Sequence, residues 1–533
     1  MIDQTTCIGC HACTVACKTE HQVPLGVNRT WVKYVEQGTW PDTSRSFSVM
    51  RCNHCTDAPC VTICPTSALH KRSDGIVDFD TSICIGCKSC MQACPYDALY
   101  IDPDENTAQK CNYCVHRVEV GLEPACVVVC PEQAIIAGDL DNPATKIAAL
   151  VAAGGLTQRS VERGTKPNLW YKGAEPANVE PLAATRTDDG GIWRDPPGIE
   201  RSWLDVDLSG DGKGGGGHTT TPSRRVHNDA GHPRVVYATD FPMPWGWRVS
   251  AYFLTKATSA GIAIAAAMAL LFGADIESMW MRVTAPFLAG LLLLLTGVLL
   301  VWDLKRPDRF YYLLTKGNPS SWLVRGAWIL SAQALAFAAW FLAGAFQLEG
   351  AAVATIWVSA LIGLATAGYT AFLFGQARGR TLWNSPLLVW HMIAAAFAVG
   401  GGVSLIASLV SETRELTGST ARLVSNNLAA GTEAFTWTML IGAVGLGVLA
   451  VLENRTNHGA DAAAAYHHMT KGTFAFEYRI GLVFCVLSPV AAGVAVLLGT
   501  PPVVGAAAGA VAMVGVFMVD DAFVKAGQSV PLT

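Results

Sequence analysis

The sequence predicts two fold classes joined end to end: an α+β cysteine-rich domain, then an all-α membrane domain of eight transmembrane helices. Sixteen of the 17 cysteines lie between Cys7 and Cys130, and only Cys485 lies elsewhere. The apolar excess sits almost wholly after residue 249. Between the halves, residues 176–245 are rich in Pro, Gly and charge and include SGDGKGGGGHTTT at 209–221. That stretch has too little apolar sequence for a core of its own and is expected as an extended connector, pinned locally by Trp193, Trp203 or Tyr237. The expected division is therefore 1–175, a connector over 176–245, and a membrane domain over 246–533. A length of 533 residues suits two or three domains. The net charge of −4 and the lack of a basic run do not suggest nucleic acid as a partner.

Crowded cysteines mean a disulfide framework or metal binding. Disulfides need an exported chain, and the start, MIDQTTC, has neither a positive n-region nor an apolar h-region, so no cleavable signal is expected. The twin Arg224 and Arg225 have no apolar run directly behind them and read as a solvated loop. Metal is the better reading. Cys7, Cys10, Cys13 and Cys17 follow C-x2-C-x2-C-x3-C, and Cys84, Cys87, Cys90 and Cys94 repeat it. Cys52, Cys55, Cys60 and Cys64 stretch the middle gap, and Cys111, Cys114, Cys126 and Cys130 stretch it to eleven residues. Proline follows the last cysteine in three groups, as Pro65, Pro95 and Pro131. This is the bacterial ferredoxin run, in which three close cysteines wrap one [4Fe–4S] cube and the fourth binds the neighbouring cube. Two-residue gaps let a tight loop aim successive thiolates at different irons, and the distant Cys-Pro is expected to reach over from the start of the partner's helix. Zinc ribbons also use C-x2-C pairs, but rarely this run. The first domain is thus expected as a tandem bacterial-ferredoxin-like iron–sulfur domain with four cubic clusters.

The swapped fourth ligand makes clusters come in pairs, and spacing alone leaves two pairings open. The linker PTSALHKRSDGIVDFDTSI reads as helix, turn at Asp74-Gly75, then strand. So compact a connection favours pairing the second group with the third, and hence the first with the fourth. Residues 1 to about 175 resemble the four-cluster iron–sulfur subunit of molybdopterin oxidoreductases, the group containing dimethyl sulfoxide and polysulfide reductases. The resemblance implies ligand sets of Cys7, Cys10, Cys13 and Cys130; Cys111, Cys114, Cys126 and Cys17; Cys52, Cys55, Cys60 and Cys94; and Cys84, Cys87, Cys90 and Cys64. All sixteen cysteines are present, so a three-iron variant is not expected.

From residue 250, eight stretches reach bilayer length, near 250–273, 283–302, 326–346, 352–375, 385–410, 432–452, 480–498 and 503–519. WGWRVSAYF enters the first, DLKRPDRF follows the second, LWNSPLL opens the fifth and AGQSVPL closes the chain. These motifs resemble the NrfD/PsrC-like membrane anchors of polysulfide reductases. TKATSAG at 255–261 departs from the glycine-richer stretch of that family and carries Lys256.

Eight spans place both ends on one side. Loops on that side carry Arg248, Lys305, Arg306, Arg309, Lys316, Arg325, Arg378, Arg380, Arg455, Lys471, Arg479 and Lys525, against Arg282, Arg414 and Arg422 opposite. The positive-inside rule then puts the cluster domain and both termini in the cytoplasm of a prokaryotic cell, on its inner membrane.

Clusters carry single electrons, whereas quinone takes two electrons and two protons, so a quinone site needs proton-exchanging groups near the last cluster. His391, the one histidine inside a predicted span, is placed to bond a quinone carbonyl or a neighbouring helix. Asp303 suits a proton relay or a salt bridge with Lys305 or Arg306, and Lys256 a quinone oxygen or snorkelling. Trp245, Tyr252 and Trp390 suit ring-stacking walls or an interfacial belt. Glu433 opens the sixth span on the far side. Haem b usually takes two histidines, so no haem is expected; His458, His467 and His468 fall in a loop. The resemblance implies an electron-transfer and anchor subunit that joins a molybdenum or tungsten pterin catalytic subunit to menaquinone or ubiquinone through four [4Fe–4S] clusters. The rival readings are a redox-driven proton-translocating machine and a plain relay with quinone bound by another subunit.

Overall fold

A computed structural model describes residues 1–186, 231–239, 242–412, 421–456 and 459–533. Trp193, Trp203, Arg224, Arg225, Arg414 and His458, and the side chain of Arg422, lie outside the described residues.

The cysteine-rich half is built from short elements. Helix α1 (Ala12–Glu20) follows the first three cysteines and leads into a hairpin of β1 (Thr30–Thr39) and β2 (Asp42–Arg51). The hairpin is paired from Thr30↔Arg51 to Thr39↔Asp42, and its base is buried through Trp31, Val32, Val35 and Val49. Helix α2 (Pro59–Ile63) starts with Pro59, whose fixed φ suits a first helical turn. The linker expected as helix, turn and strand is instead a hairpin, β3 (Leu69–Lys71) against β4 (Val77–Phe79), turning at Gly75 with φ 83°. Only four residues separate Cys64 from Leu69, too few for a stable helix. Helix α3 (Ser89–Ala93), the hairpin β5 (Leu99–Ile101) and β6 (Ala108–Lys110), and helices α4 (Val115–Val118) and α5 (Ala125–Val128) complete the cysteine loops. Cys64 and Cys94 cap the C-terminal ends of α2 and α3, so each Cys-Pro arrives from a helix end and not from a helix start.

Two strands come from the expected connector. Strand β7 (Thr185–Arg186) pairs in parallel with β8 (Gly231–Tyr237), and β8 runs antiparallel to β1, giving the order β7-β8-β1-β2. Tyr237 packs on Tyr34 and His11 at ring-centroid distances of 5.3 and 5.0 Å.

Among the described residues the second half contains eight helices long and apolar enough to cross a bilayer. They are α6 (Trp247–Leu271), α7 (Ala285–Trp302), α8 (Trp322–Ala345), α9 (Glu349–Gly375), α10 (Leu388–Glu412), α11 (Ala421–Arg455), a seventh span split into α13 (Ala475–Leu482) and α14 (Ser488–Leu497), and α15 (Pro502–Gln528). Short helix α12 (Ala460–Thr470) precedes the split span and carries His467 and His468, which were expected in a loop. Widened π-turns at Trp280–Thr284 and Val483–Leu487 sit immediately before Ala285-Pro286 and Ser488-Pro489. Each proline lacks the N–H of a regular turn and crowds the carbonyl four residues back, and the wider turn relieves both.

Helix α10 lies at the centre because its glycine triplet faces three neighbours. A Cβ at Gly400 would lie 2.3 Å from Gly261 Cα of α6, one at Gly401 2.5 Å from Met439 N of α11, and one at Gly402 2.6 Å from Gly509 Cα of α15. Without a side chain, backbones approach closely enough for dispersion to hold helices together in lipid.

Candidate metal centres and membrane site

The first and third cysteine groups share one backbone pattern. In CIGCHAC and CIGCKSC the glycines adopt φ 70° at Gly9 and 67° at Gly86, and His11 and Lys88 follow with φ 61° and 64°. Left-handed residues turn the chain twice within six positions, which points successive thiols inward. Gly86 has a second duty. A Cβ there would lie 2.6 Å from Lys305 Cβ, because this loop rests on the membrane half.

None of the 17 cysteines forms a disulfide. Cys7, Cys10, Cys13 and Cys130 line one cavity of about 340 Å³. Cys64, Cys84, Cys87 and Cys90 line another of about 370 Å³. The other eight fall into two groups. Burial raises the Cys94 thiol well above its ordinary value, and the neighbouring Cys60 and Cys52 add to the rise. Cys17 is pushed up to about 12 by burial and then by Cys111 and Cys126, and Cys114 to about 11 by burial, with Cys111 and Cys126 adding to the rise. The first and fourth groups therefore interleave, as do the second and third.

Several observations fit iron–sulfur cubes. Main-chain N–H groups of Leu69, Ala108 and Ala134 donate to the sulfurs of Cys64, Cys84 and Cys130 at 3.4, 3.4 and 3.2 Å. Buried Arg51 donates to Cys126 Sγ at 3.0 Å, and His21 Nε2 lies 3.1 Å from Cys114 Sγ. Among the described residues no three His, Cys, Asp or Glu side chains converge on a single-ion site. Zinc–sulfur bonds of about 2.3 Å would require that convergence, whereas a cube holds its thiolates apart around an open volume.

The loop of the second cavity sits on the membrane helices. Main-chain N–H groups of Lys305 and Arg306 donate to the carbonyls of Gly86 and Ile85, each at 3.2 Å. Arg309 donates to the carbonyls of Thr81 and Cys84 at 2.6 and 3.0 Å. Arg380 donates to Gln92 Oε1 at 3.0 Å and pairs with Asp97 at 3.5 Å. Gln528, near the end of α15, binds the Trp245 backbone in both directions and accepts from Gln92 at 2.7 Å.

Of the residues singled out for quinone, four gather at this seam. Trp245 Nε1 donates to the Cys87 carbonyl at 3.3 Å, and its ring stacks on Trp383 with centroids 5.4 Å apart. Asp303 pairs at 3.0 Å with Lys88, one residue after Cys87, instead of with Lys305 or Arg306. Tyr252 is buried on α6. Lys256, one turn deeper, does not snorkel; it is 2% exposed, donates to Thr370 Oγ1 and lies 4.6 Å over the Tyr369 ring. His391 Nε2 reaches Asp520 of α15 at 3.2 Å. Trp390 is 60% exposed and joins none of these contacts, and Glu433 is exposed. Sequence reasoning ended the last span at 519 and so missed Asp520 and Asp521; the latter accepts from Ser250 at 2.8 Å and pairs with Lys525. The signal was there: MVDDAFVKAG continues without a breaker, and its acid and lysine stand four apart.

Residues 44–140 match the family described as a 4Fe-4S dicluster domain, and residues 236–531 match polysulphide reductase, NrfD. The chain is 42% identical over 186 residues to a tetrathionate reductase subunit of Salmonella typhimurium, covering 34% of this chain and 74% of that protein. It is 41% identical over 171 residues to a polysulfide reductase component of Wolinella succinogenes, covering 32% of this chain and 90% of that one. It is 34% identical over 219 residues to the arsenate respiratory reductase iron–sulfur subunit ArrB of Shewanella sp., covering 32% and 94%.

Proposed function

This protein belongs to the polysulphide reductase NrfD family through its multi-pass membrane half and carries a 4Fe-4S dicluster domain ahead of it, and from that premise we propose that it is the electron-transfer and membrane-anchor subunit of a respiratory oxidoreductase. Four [4Fe–4S] clusters held by the four interleaved cysteine sets would supply one-electron transfer along a wire. One end meets a separate molybdenum or tungsten pterin catalytic subunit, where substrate is handled; the relatives' names make tetrathionate, polysulfide and arsenate the classes to try first. The other end meets menaquinone or ubiquinone.

One observation carries this reading. The loop of Cys84, Cys87 and Cys90 rests on membrane helices that carry buried Tyr252 and Lys256 and half-buried Asp303 and His391. In the direction of quinone reduction, the clusters would supply two electrons one at a time, and side chains of the membrane half supply the two protons. Asp520 holds the His391 ring by Nε2 at 3.2 Å, leaving the other nitrogen to face a carbonyl oxygen. Buried Lys256 offers an N–H from the opposite helix. Quinol oxidation runs the same transfers in reverse.

The proposed orientation is cytoplasmic for the cluster domain, on the excess of positive loop residues beside it. Protease added to right-side-out vesicles should leave residues 1–175 intact, and digestion there would reverse the orientation. Replacing Cys94 by Ser should abolish quinone-linked turnover while dye-linked activity of the catalytic partner persists. Normal quinone turnover in that variant would overturn the wire.

A further inference from the structure

Arg51 ends β2, is 4% exposed, and directs its guanidinium at the Cys126 sulfur, 3.0 Å away. Among the described residues no carboxylate pairs with it. A buried cation without an anion is strongly destabilising, and proteins do not keep one unless something negative meets it. Neutral thiols do not meet that need. A thiolate-bound iron–sulfur cube does, since it carries net negative charge that grows by one on reduction. Fully buried Lys110 stands nearby, donating to the Cys111 carbonyl at 2.9 Å and to the Val77 carbonyl. The pattern differs in the set of Cys7, Cys10, Cys13 and Cys130 and in that of Cys64, Cys84, Cys87 and Cys90. The sulfurs of Cys130, Cys64 and Cys84 accept from neutral main-chain N–H groups, and among the described residues no Lys or Arg side chain hydrogen-bonds a sulfur of those two sets.

We propose that Arg51 is a built-in counter-charge for the centre bound by Cys17, Cys111, Cys114 and Cys126, favouring its reduced form so that an electron rests there within the wire. The step is one electron in, from the neighbouring cluster or from a chemical reductant. No bond forms or breaks and no proton moves, because the fixed guanidinium already balances the added charge. An interior resting point separates one-electron arrival from two-electron quinone chemistry: a first electron waits inside the protein, away from water and lipid, until a second follows. The inference rests on the four-cluster reading.

The test is a potentiometric titration of the full chain in membranes, followed by electron paramagnetic resonance, with Cys114→Ser marking the signal of this centre. Arg51→Gln keeps a donor and removes the charge, and Arg51→Lys keeps the charge. In Arg51→Gln that one midpoint should fall by about 59 mV or more, a tenfold loss in reduced over oxidised form at fixed potential. The centre of Cys7, Cys10, Cys13 and Cys130, where Arg51 also acts on Cys13, should fall by less, the other two should stay, and Arg51→Lys should recover most of the fall. If Arg51→Gln loses that cluster's share of iron while Arg51→Lys retains it, the counter-charge role is equally supported. Unchanged midpoints in Arg51→Gln, equal falls in both variants, or loss of the cluster from both would overturn it. Iron and sulfide analysis of the parent protein separates the two failures: fewer than four clusters sinks the four-cluster reading, and four clusters with unmoved midpoints sinks only the role of Arg51.

Discussion

Replacing Asp303 by Asn should loosen the seam between the cysteine loops and the membrane helices. Lys88 and Asp303 are 3.0 Å apart, with side chains only 6% and 15% exposed. Removing one partner of a fully buried pair costs about 3–5 kcal/mol, because the other charge stays behind unpaired. The residual exposure of Asp303 reduces this to about 2–3 kcal/mol, still well above the ~0–1 kcal/mol of a surface pair. Such a change is roughly 30- to 150-fold in an opening equilibrium. The reporters are the amides of Lys305 and Arg306, which bond the Gly86 and Ile85 carbonyls beside the pair. Hydrogen exchange measured on the detergent-solubilised protein should show their protection falling by that factor in Asp303→Asn. Combining Lys88→Met with Asp303→Leu should restore most of it, since no charge is then left unmet. A loss under about fivefold in the single variant would refute the reasoning and reduce the pair to a surface contact.

Two further outcomes follow from neighbouring contacts. Asp520→Asn should cut quinone-linked turnover on the order of 10²-fold, the usual size of an acid–base contribution, while stopped-flow reduction of the clusters by the partner proceeds normally. Gly379→Val should destabilise the seam by about 1–3 kcal/mol, read as earlier release of iron on heating; its Cβ would lie 2.6 Å from the Cys94 carbonyl and 2.7 Å from that of Gln92, backbone atoms that cannot rotate away.

Cysteine spacing and apolar run length are local properties, which is why the tight cysteine loops and all eight spans were legible in the sequence alone. Contacts between distant segments were not. That Asp303 would choose Lys88 over the adjacent Lys305 or Arg306 depends on where the third cysteine loop lands, 215 residues away in sequence. Asp520 was hidden for a different reason: acids at the end of an apolar run read as its boundary, yet here the helix continues and the bundle buries them. Arg51 shows the sharpest limit. It stands next to Cys52 in sequence, but its guanidinium turns to Cys126, a cysteine of the other interleaved pair of groups. The linker between Pro65 and Ile83 was misread because its apolar residues suit either period over so short a run.

The pairing of β8 with β1 sets the length of a leash. Between the end of β8 at Tyr237 and the start of α6 at Trp247 only nine residues remain, 238–246. Fully stretched they reach about 30 Å, and a tether so short holds its two ends at an effective concentration in the millimolar range. If every bond at the seam broke at once, the cysteine-rich head would still be confined above its own helices and would settle back before a second molecule could take its place. Two parts that separate genes would have to match by affinity and dosage are here kept in register by nine linking residues.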